Sequence, residues 1–193
     1  MDDDQFEFLS GDVVSVAQRL LGCELVLQHD GREVIVRVVE TEAYHQTDAA
    51  SHSYKGRTPR TDIMFGPPGF LYVYFTYGMH YCMNVVTGQD GEGSAVLIRA
   101  VEPVQGRDIL MANRPGQHGQ QLTNGPAKLC QALGIDKSWN GHDLRQKPLV
   151  LRMKPALHTA DIVQTVRVGI SQAQDKPWRF YIRDSLYVSK PIK

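Results

Sequence analysis

Two glutamates, Glu40 and Glu42, stand near the end of a segment in which valines alternate with other residues. If Glu33–Tyr44 is a β-strand, alternate side chains share a face, so both carboxylates extend a face of valines. A carboxylate at the end of an apolar face is partly desolvated, which suits it to act as a general base near neutral pH. Tyr44 and His52 follow closely, and this gathering of titratable and aromatic groups favours a catalytic site.

Two alternatives remain open for this pair of glutamates. One is a solvated strand end, which is the common role of an isolated Glu-x-Glu. The other is a glycoside hydrolase, in which two carboxylates act from opposite sides of the sugar. Residues two apart on one strand face come from the same segment and do not flank a substrate, which weakens that second reading.

A basic loop follows the strand. Its candidate phosphate ligands are Lys55, Arg57, Thr58 and Arg60, which stand beside glycine and proline. Such residues can meet phosphates with side chains and exposed amides. A charged loop that is simply solvated is the alternative.

An aromatic run occupies residues 70–79. Tyr72 and Tyr74 share one face of the predicted strand Phe70–Thr76, and Tyr77 falls at the following bend. A tyrosine that faces a pocket can stack on a nucleobase, and a large side chain on a protruding turn can fill a gap in a base stack. For Tyr72 we favour a core position.

Asn84 and Arg99 are lone polar residues within otherwise apolar predicted strands, Tyr81–Val86 and Ala95–Val101. Buried polar side chains need partners, and a buried arginine pairs with a carboxylate or a phosphate. A purely structural pair between Arg99 and a glutamate fits the sequence equally well.

The elements that must position these residues are short. Helices are predicted over Asp12–Leu21, over Gln105–Ala112, and from an Asn124 N-cap to Gly134. The further strands are predicted at Cys23–Gln28, Leu149–Met153, Thr165–Ile170, Arg179–Ile182 and Leu186–Val188. Residues 45–69 form a long polar loop, which is usually functional inside a compact domain.

Composition excludes several classes of protein. The chain has 193 residues with 21 basic and 21 acidic side chains, so it is not a uniformly basic polyanion binder. Its three cysteines are widely spaced, without a Cys-x-x-Cys pair for zinc, redox or iron–sulfur chemistry. The acidic N-terminus and the lack of a long apolar run predict a cytoplasmic protein with no membrane contact.

Taken in chain order, several motifs resemble the alkyladenine (3-methyladenine) DNA glycosylase family. They are Val39-Glu40-Thr41-Glu42-Ala43-Tyr44, Ser51-His52-Ser53, Arg57-Thr58-Pro59-Arg60, Met64-Phe65, Pro68-Gly69-Phe70-Leu71-Tyr72-Val73-Tyr74, Tyr77-Gly78-Met79, Cys82-Met83-Asn84, Leu97-Ile98-Arg99-Ala100-Val101-Glu102-Pro103, Asn124-Gly125-Pro126-Ala127-Lys128-Leu129-Cys130 and Trp178-Arg179-Phe180-Tyr181. The resemblance runs from Phe8 to Ser189, and the order and spacing of the motifs carry it rather than any one of them.

The resemblance implies an α/β protein of the α+β type: one compact domain over residues 1–193, with a mainly antiparallel sheet core and a few flanking helices. Disorder is expected in about the first seven residues. It also implies no metal and no cofactor. The expected partner is double-stranded DNA that carries damaged purines, and we expect a monomer, nucleoid-associated if the source is a bacterium.

The resemblance also implies roles for single residues. Glu42 would activate a water that Arg99 helps to hold. The base pocket, the wedge inserted into the duplex and the contacts to the DNA backbone complete the implied set. The pocket would comprise Tyr44, His52, Tyr74 and Asn84, and Asn84 would crowd the exocyclic amine of guanine. The wedge would comprise Tyr77 and Met79. The residues that contact the DNA backbone would be Lys55, Arg57, Thr58, Arg60 and Lys128.

Three rival functions stay open at this point. A lysine such as Lys128 could act as nucleophile in a glycosylase–lyase, although no lysine stands beside the Glu42 segment. The chain could also be a non-catalytic binder of damaged DNA or structured RNA. Finally, it could hydrolyse small glycosides or nucleosides.

Overall fold

The longest strand, β2 (Arg32–His45), carries both glutamates through the centre of the sheet. The computed structural model describes residues 3–76 and 78–191. Across this part of the chain the other strands are β1 (Glu24–His29), β3 (Leu71–Thr76), β4 (His80–Val86), β5 (Ser94–Gln105), β6 (Leu149–Arg152), β7 (Ile162–Thr165) and β8 (Arg179–Ile182). The α-helices are α1 (Val13–Arg19), α2 (Arg107–Asn113) and α3 (Pro126–Leu133).

The strands form one antiparallel sheet in the order β3-β4-β5-β2-β1-β6, with β8 paired to β2 and β7 paired to β8. The expected α+β domain with an antiparallel sheet core is confirmed. Around Glu40–Glu42, β2 has β5 on one side and β8 on the other. The backbone of Glu40 and Glu42 is therefore hydrogen-bonded to a strand on each side, which fixes the positions of their Cα atoms.

Both faces of β2 are covered in its second half. Residues Val38 to Ala43 are all buried. Helix α1 packs over one face, where the Thr41 hydroxyl donates to the Ala17 carbonyl, and Arg99, Arg179 and the backbone at Val168 contact the glutamates. The register of β2 against β5 shifts between Ile35 and Val36 and again around Glu40. The alternation of buried and exposed residues expected for a strand with one solvent-facing side is therefore absent here, and Glu40 and Glu42 are both inside the protein.

The helices begin and end where local chemistry allows. The Asp12 side chain accepts from the Ser15 N–H and caps α1, and Pro126 opens α3, which stops at the left-handed Gly134. The predicted N-cap of α3 was wrong by one position, since the cap is Gly125. Asn124 instead accepts a hydrogen bond from Lys128 Nζ at 2.7 Å.

Two predicted strands were wrong. The strand predicted at Thr165–Ile170 lies earlier, at Ile162–Thr165, and the residues after it form a loop. Leu186–Val188 lies in turns, with Val188 buried at the end of an irregular segment. In both cases apolar residues suggested a strand, but the structure pairs them with no neighbouring strand, and Val166 and Leu186 are exposed.

The N-terminal segment packs on the domain as far as it is described. Of the first seven residues, for which the sequence predicts disorder, those from Asp3 onward begin a 3-10 helix, Asp3–Ser10. Its Phe6 is buried, with the Arg145 guanidinium over the ring. Cys23, Cys82 and Cys130 are buried free thiols, and no helix within the described residues is long and apolar enough to cross a membrane.

Candidate active site

A cavity of about 430 Å³ opens beside the end of β2. Its lining comes from β2 and the loop after it, from β3, β4 and β5, from the start of α3, and from the loop at 168–172. The residues are Tyr44, Ala49, Ala50, His52, Arg60, Met64, Tyr72, Tyr74, Thr76, Cys82, Asn84, Leu97, Arg99, Pro126, Val168, Gly169, Ile170, Ser171 and Gln172. This volume and mixed lining are typical of a site for one small ring system.

His52 and two tyrosines form one aromatic wall of the cavity. His52 Nδ1 is hydrogen-bonded to the Tyr72 hydroxyl at 2.9 Å, and the His52 ring meets the Tyr74 ring edge-on at 4.5 Å between centroids. Desolvation and the nearby charge of Arg60 lower the pKa of His52 to about 4, so its ring is neutral at pH 7. A neutral ring can face a positively charged ligand without repelling it.

Tyr44 forms another part of the lining and touches the candidate base. Its hydroxyl donates to Glu42 Oε2 at 2.7 Å. Burial, and then the charge of Glu42, raise the pKa of Tyr44 well above its ordinary value, so the hydroxyl stays a donor. Burial likewise raises the pKa of Tyr74. Both rings are thus neutral and line the cavity, and each also has a guanidinium against it, Arg167 at Tyr44 and Arg60 at Tyr74.

Glu42 is fully buried behind Tyr44 and Arg99, which line the cavity. Its Oε1 accepts from the Val168 N–H at 2.8 Å, and its Oε2 accepts from Tyr44 and, at 3.3 Å, from Arg99 Nη1. A carboxylate offers about four acceptor positions, so one stays available on Glu42. The carboxylate is therefore fixed in place and able to accept one more proton donor.

Glu40, the other carboxylate, is fully engaged within the protein. It accepts from Arg99 Nε at 3.3 Å, from Arg179 Nε at 2.7 Å, and from both the N–H and the hydroxyl of Ser189. The charges of Glu42 and Glu40 outweigh burial and raise the pKa of Arg99. Glu40 thus holds the two arginines and has no acceptor position left.

Asn84 stands on β4 directly opposite Tyr72 on β3. It is buried, lines the cavity, and donates from Nδ2 to the Tyr72 carbonyl at 3.0 Å. That bond fixes the orientation of the amide. A rigid polar group on the floor of a pocket can discriminate between ligands that differ by one exocyclic group.

The sequence profile described as methylpurine-DNA glycosylase matches residues 7–186. The chain belongs to the methylpurine-DNA glycosylase family. The resemblance noted from the motifs is thereby confirmed, and membership makes the chain a DNA glycosylase, a hydrolase of N-glycosidic bonds with DNA as its substrate.

Relatives of similar length support this assignment. Proteins from Carboxydothermus hydrogenoformans and Methanoculleus marisnigri are 52% and 50% identical, over 95% of this chain and 97% and 96% of their own lengths. One from Francisella tularensis is 48% identical over 92% of this chain and 93% of its own. Each is described, provisionally, as a 3-methyladenine DNA glycosylase.

Of the loop residues predicted to contact the DNA backbone, only Arg60 lines the cavity. Lys55, Arg57, Thr58 and Arg60 are exposed, and Arg60 both lines the cavity and stacks over the Tyr74 ring at 5.7 Å. Arg57 is paired with Asp62 at 2.6 Å, which reduces its availability for a phosphate. Thr58 is hydrogen-bonded to Thr61, so its role inside the protein is to shape the loop.

The remaining predicted DNA contacts are Lys128, expected at the DNA backbone, and the wedge residues Tyr77 and Met79. Lys128 donates to the side-chain oxygens of Gln121 and Asn124, close to Pro126, which lines the cavity. Met79 is 71% exposed in the turn after β3. Tyr77, the predicted wedge, lies outside the described residues.

The loop at 168–172, which has no counterpart among the predicted site residues, supplies five lining residues and the Val168 N–H that holds Glu42. This stretch was predicted as a strand because valine and isoleucine recur in it. Gly169 has φ 77°, and the small polar residues after Ile170 were the signal for a loop. Tyr72, predicted as a core residue, is 1% exposed as expected, yet its hydroxyl also holds His52 in the cavity wall.

Proposed function

We propose that this glycosylase removes damaged purines from duplex DNA, with Glu42 as the base that activates the attacking water. The class of substrate is that of 3-methyladenine, hypoxanthine and ethenoadenine. The observation that carries the proposal is a buried carboxylate with one acceptor position left, placed behind two cavity-lining residues, Tyr44 and Arg99. No metal or cofactor is required for this chemistry.

A base inside the duplex cannot be attacked at its sugar carbon, so the nucleotide has to rotate out first. Unstacking costs a few kcal/mol and is least for a damaged pair, which already favours lesions. The cavity of about 430 Å³ has room for a purine, and Tyr44 and Tyr74 offer neutral rings for stacking. Asn84 would exclude guanine by crowding its exocyclic amine.

In the cleavage step, the water oxygen forms a bond to C1′ while the bond from C1′ to the purine nitrogen breaks. The purine keeps the electron pair of that bond, and the water proton passes to Glu42. An alkylated, cationic purine leaves as a neutral base and needs no proton. A neutral purine such as hypoxanthine has to take up one proton as it leaves, supplied by water. The negative charge of Glu42 also stabilises the oxocarbenium-like sugar, and Arg99 helps to hold the water.

Duplexes that contain a single 3-methyladenine, hypoxanthine or ethenoadenine provide the test. We expect the free base to be released from duplex DNA, detected by chromatography, and free nucleosides to be left intact. Release from nucleosides at comparable rates would instead support a small-substrate hydrolase. Binding of lesion duplexes without any release would support a non-catalytic protein.

A lysine-dependent glycosylase–lyase is the second candidate, because burial and the charge of Arg114 lower the pKa of Lys128. Against it, the Lys128 amine already donates to two side-chain oxygens and does not line the cavity. Borohydride added to the same reactions would trap a covalent adduct of such a lysine with DNA. We expect free base and no adduct.

The wedge is proposed to be Tyr77, with Met79 beside it. Replacing Tyr77 with alanine is expected to weaken binding to lesion duplexes about tenfold, because nothing then fills the space left in the stack. Binding to a single strand that carries the same lesion has no stack to restore and is expected to change little. Titration of both DNAs by fluorescence anisotropy measures this, and an equal loss on both would show that Tyr77 is not a wedge.

A further inference from the structure

A buried ion pair between Arg167 and Asp48 lies apart from the cluster of Glu40, Glu42, Arg99 and Arg179 and is not used in the reaction above. The side chains of Arg167 and Asp48 are both fully buried and make two contacts, one between Nη2 and Oδ1 at 3.1 Å and one between Nη1 and Oδ2. Burying two charges is unfavourable unless geometry and further hydrogen bonds compensate, and removal of one partner is strongly destabilising. The chain retains this pair although Arg167 Nε, also buried, has no partner among the described residues.

The Arg167 guanidinium joins three separate segments of chain. Nη1 donates to the Ala43 carbonyl on β2 at 2.9 Å, and Nη2 donates to the Ala173 carbonyl at 3.3 Å. Asp48 belongs to the loop after β2. The five residues between Arg167 and Ala173 (168–172) all line the cavity, and we call them the wall segment. One side chain therefore closes both ends of the wall segment and ties it to the strand that carries Glu42.

The same guanidinium also lies against the rings that shape the site. The Cζ atom of Arg167 is 4.7 Å from the centre of the Tyr44 ring and 5.4 Å from the centre of the Trp178 ring. Lys176 stacks on Trp178 at 4.1 Å and reaches Asp48 at 3.8 Å, so the region holds two cations around one carboxylate. Tyr44 is thus supported by Arg167, while the Tyr44 hydroxyl reaches Glu42.

We propose that Arg167, held by Asp48, is a positioning residue for excision: it fixes the wall segment and Tyr44, and through them Glu42. This inference rests on the proposed function of Glu42. Two of the three hydrogen bonds on Glu42 come from groups that Arg167 holds, the Val168 N–H next to it in the chain and the Tyr44 hydroxyl in front of it. Loss of Arg167 would free both donors to move.

The test is Arg167→Met, which keeps the length and apolar stem of the side chain but removes its charge and donors. Base release is measured in single turnover at saturating enzyme, where the rate constant does not depend on how much of the protein is folded. We expect a fall of about 10- to 100-fold, since small displacements of catalytic groups have effects of that size. Affinity for undamaged duplex, which does not use the pocket, is expected to stay within about twofold.

The matched control is Arg145→Met. Arg145 is paired with Asp143 at 2.9 Å and stacks on Phe6 and Phe70, but it does not line the cavity. Its single-turnover rate is expected to be unchanged. If Arg167→Met folds poorly, the double variant Arg167→Met, Asp48→Leu removes both buried charges, which is often neutral for stability. The double variant is expected to show the same loss of rate.

An unchanged single-turnover rate in either Arg167 variant, with reduced thermal stability alone, would overturn the positioning role and leave the pair purely structural. That outcome is distinct from failure of the proposed function. If Glu42→Gln were also fully active, the base assignment itself would fall. If only Glu42→Gln were inactive, the base assignment would stand without the role of Arg167.

Discussion

Replacing Glu42 by glutamine is expected to lower the single-turnover rate of base release by about 10³-fold or more. An amide keeps the size of the side chain but can neither take the water proton nor stabilise a positively charged sugar. Binding of lesion duplexes is expected to persist within a few-fold, because the rings of Tyr44, Tyr74 and His52 still form the pocket. The two measurements are rate constants with enzyme in excess and anisotropy titrations on the same oligonucleotides.

The matched control is Glu24→Gln, which changes another buried carboxylate that is paired with Arg152 and Lys154 on the far side of β2. Its rate is expected to match the wild type. Activity of Glu42→Gln within about tenfold of the wild type would contradict the role of Glu42 as base, because a loss that small is below the usual contribution of a general base.

Replacing Arg99 by methionine is expected to have the largest effect on stability. Arg99 is the cation shared by Glu40 and Glu42, and its loss leaves Glu42 buried without a cation in contact. Breaking a buried pair from one side costs about 3–5 kcal/mol, which for a domain of this size lowers Tm on the order of 10 °C. Thermal unfolding followed by circular dichroism measures the change in Tm. The rate of base release is expected to fall as well, because the attacking water loses its proposed hydrogen bond to Arg99.

Arg37→Met provides the control on the same two strands. Arg37 on β2 faces Glu102 on β5 at 3.5 Å, but both side chains are more than a third exposed. Such a pair contributes about 0–1 kcal/mol, so the Tm is expected to change by only a few degrees. The contrast isolates burial as the reason for the large effect at Arg99.

Most strands and helices could be predicted from the sequence because their signals are local. The strand at Arg179–Ile182 was predicted with the bounds that the structure shows, and the end of α3 at Gly134 was predicted from a glycine that can take the left-handed conformation. Thr165–Ile170 was predicted wrongly for a related reason. Its β-branched residues have strand propensity, but the loop beside the cavity has no strand edge to pair with there.

The sequence by itself determined the composition of the site: a carboxylate after a valine-rich strand, tyrosines at alternating positions, and an arginine inside an apolar strand. These patterns need only backbone periodicity and the cost of burying charge. The tertiary structure decided how the two glutamates divide their roles. Glu40 is saturated by Arg99, Arg179 and Ser189, while Glu42 accepts three hydrogen bonds and lies behind the cavity-lining Tyr44 and Arg99.

The partners that fix Glu42 were also decided only by the tertiary structure. Val168 is 126 positions from Glu42 in the chain, and Arg167 is 119 positions from Asp48. No local sequence pattern links residues so far apart, because periodicity and turn signals depend only on neighbouring residues, whereas these contacts form when distant segments pack together. Periodicity therefore predicts which side chains are available, and only the packing of distant segments determines which of them are held in place and which stay free to react.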